Sequence, residues 1–452
     1  MVAPIFFVNV SPFNVLGAEE HRLAFINAMD AFEGRHPALF TPGNLPDNAL
    51  TDIPTTTAAL LRNERVIQQL RQHINPKLLF LMFDERAEQA AAELKLQILH
   101  PCAALRRQLD CKVNATRLAQ RAGVPSVPNV LCNITSYQSL RQAAQGLGLD
   151  LVVQTPFGDS GSTTFFISNK ADYEVHAATI EAAQEVKIMK RIRCQPAALE
   201  ACVTKHGTLV GPLQAELVGF PELTPYRGGW CGNQLCHDDF GSSVRRKAYL
   251  YTIAIGEEMR KHGYRGVFGV DYLLDIDSQQ LYFGELNPRI TGAAPVGDLA
   301  AQEQGITPLL THHIEEWLGK ATSHNFTSLN THWTQTESAT GWGQLILDHL
   351  GHEKTVTEVP ASGLYRMQSD DRLYFVRHET QMRSIARADE ALFLRTIEPG
   401  RPVRQGTPLG RLITRDRLIT QGALTREAQR WIAAFRQQYH FSPRSQEQSY
   451  VC

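Results

Sequence analysis

Short apolar runs alternate with segments of helical spacing along the first part of the chain. Ile5–Val10 and Leu78–Phe83 are continuous apolar runs of buried-strand length. His21–Phe32 carries apolar residues at helical spacing, and Glu85–Leu96 is rich in Ala, Glu and Leu. Strand–helix alternation of this kind predicts a parallel sheet covered by helices over residues 1–105.

A second pattern begins at Lys112–Arg121, a helix closed by Ala122-Gly-Val-Pro, the usual stop signal. Asn129–Cys132, Leu151–Gln154, Phe165–Ser168 and Val186–Ile192 read as strands, with helices over Ser136–Gly146 and Lys170–Gln184. They predict a compact α+β subdomain within 106–194. Over 195–325, Leu199–Thr204 and Leu209–Leu217 read as strands and Ser243–His262 as a long helix. Val267–Leu274 and Gln280–Leu286 read as a hairpin around Asp275-Ile-Asp-Ser278, followed by helices near 297–304 and 307–318. His324–Gln335 is polar and aperiodic and reads as a linker. The remainder, 336–452, reads as a β-rich lobe of short strands. Its segment 398–414 resembles the half-repeat of biotinyl and lipoyl carrier domains, but no Lys occupies a hairpin tip to act as acceptor.

Composition narrows the classes. The 452 residues hold 45 basic and 46 acidic side chains, a net charge of −1, with 43% hydrophobic and 20% charged residues. Balanced charge argues against a nucleic-acid partner, and high apolar content argues against disorder. No apolar stretch reaches membrane-span length. The sequence from Ala361 onward holds 15 Arg, no Lys and 9 acids. That tail is either a solvated basic surface or a source of positive potential beside an anionic substrate. The N-terminus lacks a signal-peptide pattern, so the eight cysteines are expected to be reduced and the protein cytoplasmic. Cys231, Cys236 and His237 lack a second ligand pair at zinc spacing.

Candidate chemistry sits in GYRGVFGVDYLLDIDSQQLYFGELNPRITGAAP, residues 263–295. If its two strands pair, Asp271 and Glu285 lie side by side, with Phe283 and Glu285 on one face. Adjacent carboxylates repel unless a cation neutralises them, and Mg²⁺ suits that position. Asn287 adds a neutral oxygen and Arg289 a fixed cation. Taken alone, the pattern also fits an ordinary hairpin with a wet face. The loop Pro156–Thr164 is rich in Gly, Ser and Thr, fit either to cradle phosphate or to make a plain turn. It matches neither the P-loop nor the Rossmann pattern.

Together these motifs resemble the ATP-grasp superfamily, in its biotin-carboxylase-like branch, over residues 1–320. The resemblance implies a mixed α/β and α+β protein: an N-terminal parallel α/β domain, a small ATP lid, a larger metal-binding domain and the β-rich C-terminal lobe. It implies ATP and Mg²⁺, with Mn²⁺ as an alternative ion. Lys112 would hold the α- and β-phosphates. Gln154, Gly158, Ser160, Gly161 and Ser162 would belong to the lid, and Met189, Lys190 and Ile192 to the adenine hinge. Asp271, Glu285 and Asn287 would hold the metal, and Arg289 would orient the substrate and stabilise its intermediates. Glu200 stands where the family often places a carboxylate after the hinge. Tyr226, Arg227, Trp230 and Asn233, in a loop similar to that of amino-acid ligases, would line the acceptor pocket or pack as a surface loop. Gln154 departs from the pattern, because a lysine is expected there; Lys190 or a tail arginine could replace its charge.

The implied reaction is ATP-dependent joining of a carboxylate to an amine, amino acids or a short peptide, through an acyl phosphate. The alternatives are a biotin-dependent carboxylase subunit and a non-catalytic nucleotide-binding protein. A homodimer fits the architecture; neither nucleic acid nor membrane is an expected partner.

Overall fold

The computed structural model describes residues 4–11, 23–43, 45–46, 49–50, 52–158, 161, 163–320, 326–335 and 341–443. The N-terminal sheet is wholly parallel, in the order Leu39–Phe40, Leu23–Asn27, Ile5–Asn9, Lys77–Phe80, Gln97–Ile98. Leu23–Asn27 is thus a strand, which corrects the helical reading of His21–Phe32; His21 and Arg22 lie outside the described residues. The run Leu23-Ala-Phe-Ile is apolar without interruption, and it pairs between two parallel neighbours, Phe25 in register with Phe7, with Ile26 fully buried. The helices Ile53–Arg62 and Glu64–Arg71 add to the cover. Asp52 accepts from the Thr55 N–H, and the Asn63 side chain accepts from Arg65 and Val66 N–H groups.

Lys112–Arg121 is helical as expected. It ends at Gly123, whose φ of 71° lets Val124 N–H reach Ala119 O and Gly123 N–H reach Gln120 O. The four-stranded antiparallel sheet that follows has the order Asn129–Cys132, Val186–Lys190, Leu151–Gln154, Thr164–Ile167. Helices Tyr137–Ala143 and Lys170–Ala182 close its outer face through Leu140, Tyr173 and Ile180.

The largest sheet has ten antiparallel strands. It starts at Leu281–Asn287, then Gly266–Asp275, Cys194–Thr204, Gly207–Val218 and Trp230–Leu235. It runs on through Trp342–Asp348, Pro408–Thr414, Glu390–Arg395, Gly363–Met367 and Leu373–Arg377. The β-rich tail therefore extends the same sheet. Pro408–Thr414, from the carrier-like segment, is an interior strand of it. The helix Ser242–Lys261 buries Val244, Ala248, Ile255 and Met259 against that sheet.

Residues 326–335 form a helix where a linker was expected. Trp333 is buried, and Asn330 bridges the sheet, accepting from Val210 N–H (3.0 Å) and donating to Thr208 O (2.9 Å). Phe326, Leu329 and Trp333 stand at helical spacing and pack on the core, a sparse pattern among polar residues that the linker reading passed over.

Candidate active site

The hairpin sets Asp271 opposite Glu285, in register. The pairing slips by one residue just beyond, so Tyr272 faces Phe283 and Gly284 is the extra residue of a bulge. Phe283 therefore packs in the core while Glu285 faces the cleft. This corrects the expectation that the two share a face, because plain alternation cannot register an inserted residue. The bulge is pinned from outside the hairpin: Phe283 N–H donates to Pro125 O at 2.8 Å.

The carboxylates are tied to cations and amides. Lys112 Nζ donates to Glu285 Oε1 (2.7 Å) and to Gly158 O (2.6 Å), joining the 266–287 hairpin to the loop after Leu151–Gln154. Asn287 Nδ2 donates to Asp271 Oδ2 (3.0 Å), and an Arg289 guanidinium N–H donates to Asn287 Oδ1 (3.0 Å). Arg289 Nε is buried without a partner. Buried Arg106 holds the loop behind it, donating to Pro288 O (3.2 Å) and Phe83 O (3.1 Å). Burial, and then the Glu285 charge, push the Asp271 carboxyl up. Glu216, from the strand Gly207–Val218, is also pushed well up, by burial and then by Asp271 and Glu285.

These groups line a solvent-open cleft of about 1360 Å³. Its walls include Gln154 and Thr164 of the four-stranded sheet and Gly161 of the loop between them, then Met189 and Lys190 of the same sheet and Ile192 just past it. Glu216, Asp271, Glu285, Asn287 and Arg289 come from the large sheet and the turn that follows it. Two carboxylates and an amide are hard oxygen donors, too few to complete an octahedron. That set suits a divalent ion that also takes phosphate oxygens. Among the described residues no three acidic, His or Cys side chains are grouped to hold a metal by themselves.

No family model matches the chain, and no curated protein matches it in sequence. Solved structures do match in shape. The biotin carboxylase domain of the Hydrogenobacter thermophilus 2-oxoglutarate carboxylase, a dimer bound to MgADP and bicarbonate, superposes with a TM-score of 0.65. The match is 12% identical and covers 98% of this chain and 91% of that one. The Campylobacter jejuni biotin carboxylase, in an ATP complex, gives 0.65 at 12% identity, covering 98% and 92%. The Aspergillus clavatus N5-carboxyaminoimidazole synthase, with ADP and 5-aminoimidazole ribonucleotide, gives 0.58 at 12% identity, covering 92% and 94%.

The chain has the ATP-grasp fold.

In this ATP-grasp chain the anticipated residues divide by position. Lys112, Gln154, Gly158, Gly161, Met189, Lys190, Ile192, Asp271, Glu285, Asn287 and Arg289 converge on or beside the cleft. Ser160 and Ser162 lie outside the described residues. Arg227 lines the cleft, 4.6 Å over the Phe166 ring, and Trp230 lines it beside Gly292. Tyr226 is exposed, and its hydroxyl donates to Gln405 O at 3.3 Å.

Glu200 sits behind the site, in a separate small cavity. It accepts from Thr291 N–H (3.2 Å) and Thr291 Oγ1 (2.8 Å), which fixes the loop after Arg289. Burial raises its carboxyl to about 7 against those two hydrogen bonds. Asn233 is wholly buried, with its amide donating to Gln214 Oε1 and its oxygen accepting from Gln344 Nε2 (2.6 Å).

Glu216 and Arg411, which line the cleft, and Lys187, buried behind its wall at Gly284, escaped the sequence reading. Arg411, in the tail strand Pro408–Thr414, donates to Gln344 Oε1 at 3.3 Å, and burial lowers it to about 10, still cationic at neutral pH. Lys187 is fully buried, its Nζ donating to Gly284 O at 3.2 Å; burial lowers it to about 8, opposed by Glu285. The available signal was a charged residue set among apolar neighbours in each strand, LVGPLQAELV, PLGRLIT and VKIMK.

Proposed function

We propose that this protein is an ATP- and Mg²⁺-dependent ligase that joins a small carboxylate to an amine through an acyl phosphate, forming an amide or peptide bond. The observation that carries this is the bulged hairpin, which puts Asp271 beside Glu285 with Lys112 on one side and Arg289 on the other. Asp271, Glu285 and Asn287 would hold the metal, which supplies charge neutralisation between neighbouring phosphates. Lys112 binds phosphate oxygens when they displace its present contacts. Met189, Lys190 and Ile192 form the wall at which the base docks. Arg289 presents an unpaired buried Nε to the carboxylate and then to the oxyanion formed when the amine attacks. The γ-phosphorus–oxygen bond to ADP breaks as the carboxylate oxygen bonds to phosphorus. The neutral amine nitrogen then bonds to the acyl carbon, the carbon–oxygen bond to phosphate breaks, and the proton lost from nitrogen leaves with the phosphate or to water. The side chains position and neutralise, and none needs to bond covalently to substrate.

Arg411 supports an anionic acceptor substrate. Through Gln344 it is linked to Gly292 O, beside the loop that carries Arg289. A second reading takes bicarbonate as the carboxylate, which makes the product a carbamate-type carboxylation. The likeness to biotin carboxylases and N5-carboxyaminoimidazole synthase supports it.

ADP release against pooled amino acids, with and without bicarbonate, separates the two readings, and mass spectrometry of the products names the bond. Turnover that needs an amino-acid pair and no bicarbonate supports the amide ligase. Turnover only with bicarbonate supports carboxylation, and tight ATP binding without turnover in any pool overturns both.

A further inference from the structure

ATP-grasp resemblance leads one to expect a lysine at 154, where this chain has Gln. Gln154 and Lys187 are direct register partners on neighbouring antiparallel strands of the lid sheet. Directly opposed residues of such a pair project to the same face. On that face Lys187 Nζ reaches Gly284 O, the bulge residue next to Glu285 and itself part of the cleft wall. Its stem crosses the Phe283 ring, with Nζ 5.7 Å from the centroid.

The ammonium is under-used where it stands. It is fully buried and has three donors, yet one carbonyl accepts from it, and no carboxylate lies within ion-pair distance among the described residues. A buried charge so poorly paired is costly unless an anion arrives. Beside it, Gln154 Oε1 is also buried without a partner, while its Nε2 donates to Thr164 Oγ1 at 3.2 Å. Lys112 Nζ pairs with Glu285 Oε1 at 2.7 Å, one residue along the same strand from the Gly284 carbonyl that Lys187 reaches.

We propose that Lys187 is the second phosphate-binding cation of this cleft, carrying from the neighbouring strand the charge that position 154 lacks. The inference rests on the ATP-dependent reading above. Nucleotide phosphates entering between Lys112 and Lys187 would take the two unused Lys187 donors, and Gln154 would add a neutral amide donor to the same oxygens. Lys190, exposed and three residues on from Lys187, projects to the other face by the period of two.

The test measures dissociation constants of the whole protein for MgATP, MgADP and adenosine by calorimetry. A hydrogen bond between a charged donor and phosphate corresponds to about tenfold to a hundredfold in affinity. Lys187→Gln is expected to lose that much for MgATP and MgADP and little for adenosine. The exchange Gln154→Lys with Lys187→Gln is expected to recover most of the loss, and Gln154→Lys alone to gain nothing. Lys187→Arg, which keeps the charge, should hold an intermediate affinity if the glutamine variant folds poorly. Equal losses for adenosine and MgATP, or unchanged MgATP affinity in folded Lys187→Gln, would assign Lys187 a purely structural role and overturn the proposal alone. A wild-type protein that binds neither MgATP nor MgADP overturns the ligase reading together with it.

Discussion

Glu285 is the residue on which three functions meet: it pairs with Lys112, opposes Asp271 and borders the bulge. Glu285→Ala removes a ligand of the proposed ion and leaves the buried Lys112 with Gly158 O alone among those two contacts. Turnover should fall by at least about a hundredfold, a loss of a few kcal/mol of charge stabilisation. The folding transition should survive, because Glu285 faces the cleft and the core residues around it are unchanged. Retained turnover with normal Mg²⁺ dependence, measured by ADP release, sinks the metal assignment. Glu200 makes a different residue-scale prediction. Its folded carboxyl titrates near 7, above the ordinary value of 4.5. Between those values the unfolded chain has released a proton that the folded chain still holds, so stability falls as pH rises from about 4.5 to 7. Glu200→Gln should flatten that part of the curve, becoming relatively more stable than wild type at pH 8 than at pH 4.5. Urea melts at both pH values check the sign.

Elements explain why some of the site was legible and some was not. Lys112, Asp271, Glu285, Asn287 and Arg289 lie in local motifs, and local motifs survive in a single sequence. The helix Lys112–Arg121 and the strands Asn129–Cys132 and Leu151–Gln154 match the pattern residue for residue, because their stop signals and apolar runs are unambiguous. The Gly284 bulge was not legible, since an inserted residue leaves composition and periodicity intact. Lys187 was hidden for a related reason: its meaning lies in facing Gln154 across strands that are not consecutive in sequence. The lid loop offers a prediction at this scale. Gly161 has φ of 74°, and a Cβ there would stand 2.1 Å from Gly228 O. Gly161→Ala must move the loop off the Gly228 backbone. The expected result is weaker MgATP binding, by about tenfold or more, with little change in the urea midpoint, since the loop contributes few core contacts. Equal ATP affinity in the variant shows that the close approach is incidental to binding.

At the scale of the whole molecule, the tail is structural as well as electrostatic. Its strand Trp342–Asp348 pairs with Trp230–Leu235, and the core beneath both holds Cys231, Leu345, Leu412, Trp431 and Phe435 together. Charge asymmetry made the tail visible in the sequence, yet most of its arginines are spent on local ion pairs. Arg366 pairs with Glu390, Arg387 with Asp389, and Arg417 with Asp238 and Asp239. Arg395 ties the tail to Glu33 of the first domain at 3.3 Å. Arg411 and Arg417 both line the cleft; Arg411 does so from within the sheet, bonded to Gln344 beside the proposed substrate loop, whereas Arg417 is held by Asp238 and Asp239. Burial of this shared core depends on the sheet that Trp230–Leu235 and Trp342–Asp348 build together.

That dependence yields the final prediction. Ending the chain after residue 335 would leave Trp230–Leu235 as a bare edge strand, with its outward backbone groups unpaired. It would also strip the partners of Leu235 and Cys231 in the shared core. The truncated chain is expected to collect in the insoluble fraction, although it keeps every proposed ATP and metal residue. Arg411→Met, in contrast, keeps the sheet and removes one buried cation. It should leave MgATP affinity near wild type and raise the KM of the anionic substrate by about tenfold or more, the usual scale for a charged hydrogen bond. A soluble, ATP-binding 1–335 fragment would show that the tail strands are dispensable to the fold. A KM unchanged in Arg411→Met would return the tail to a purely structural role. The two measurements separate what the tail contributes to packing from what it contributes to recognition, because the truncation acts through the sheet edge and the substitution through one guanidinium.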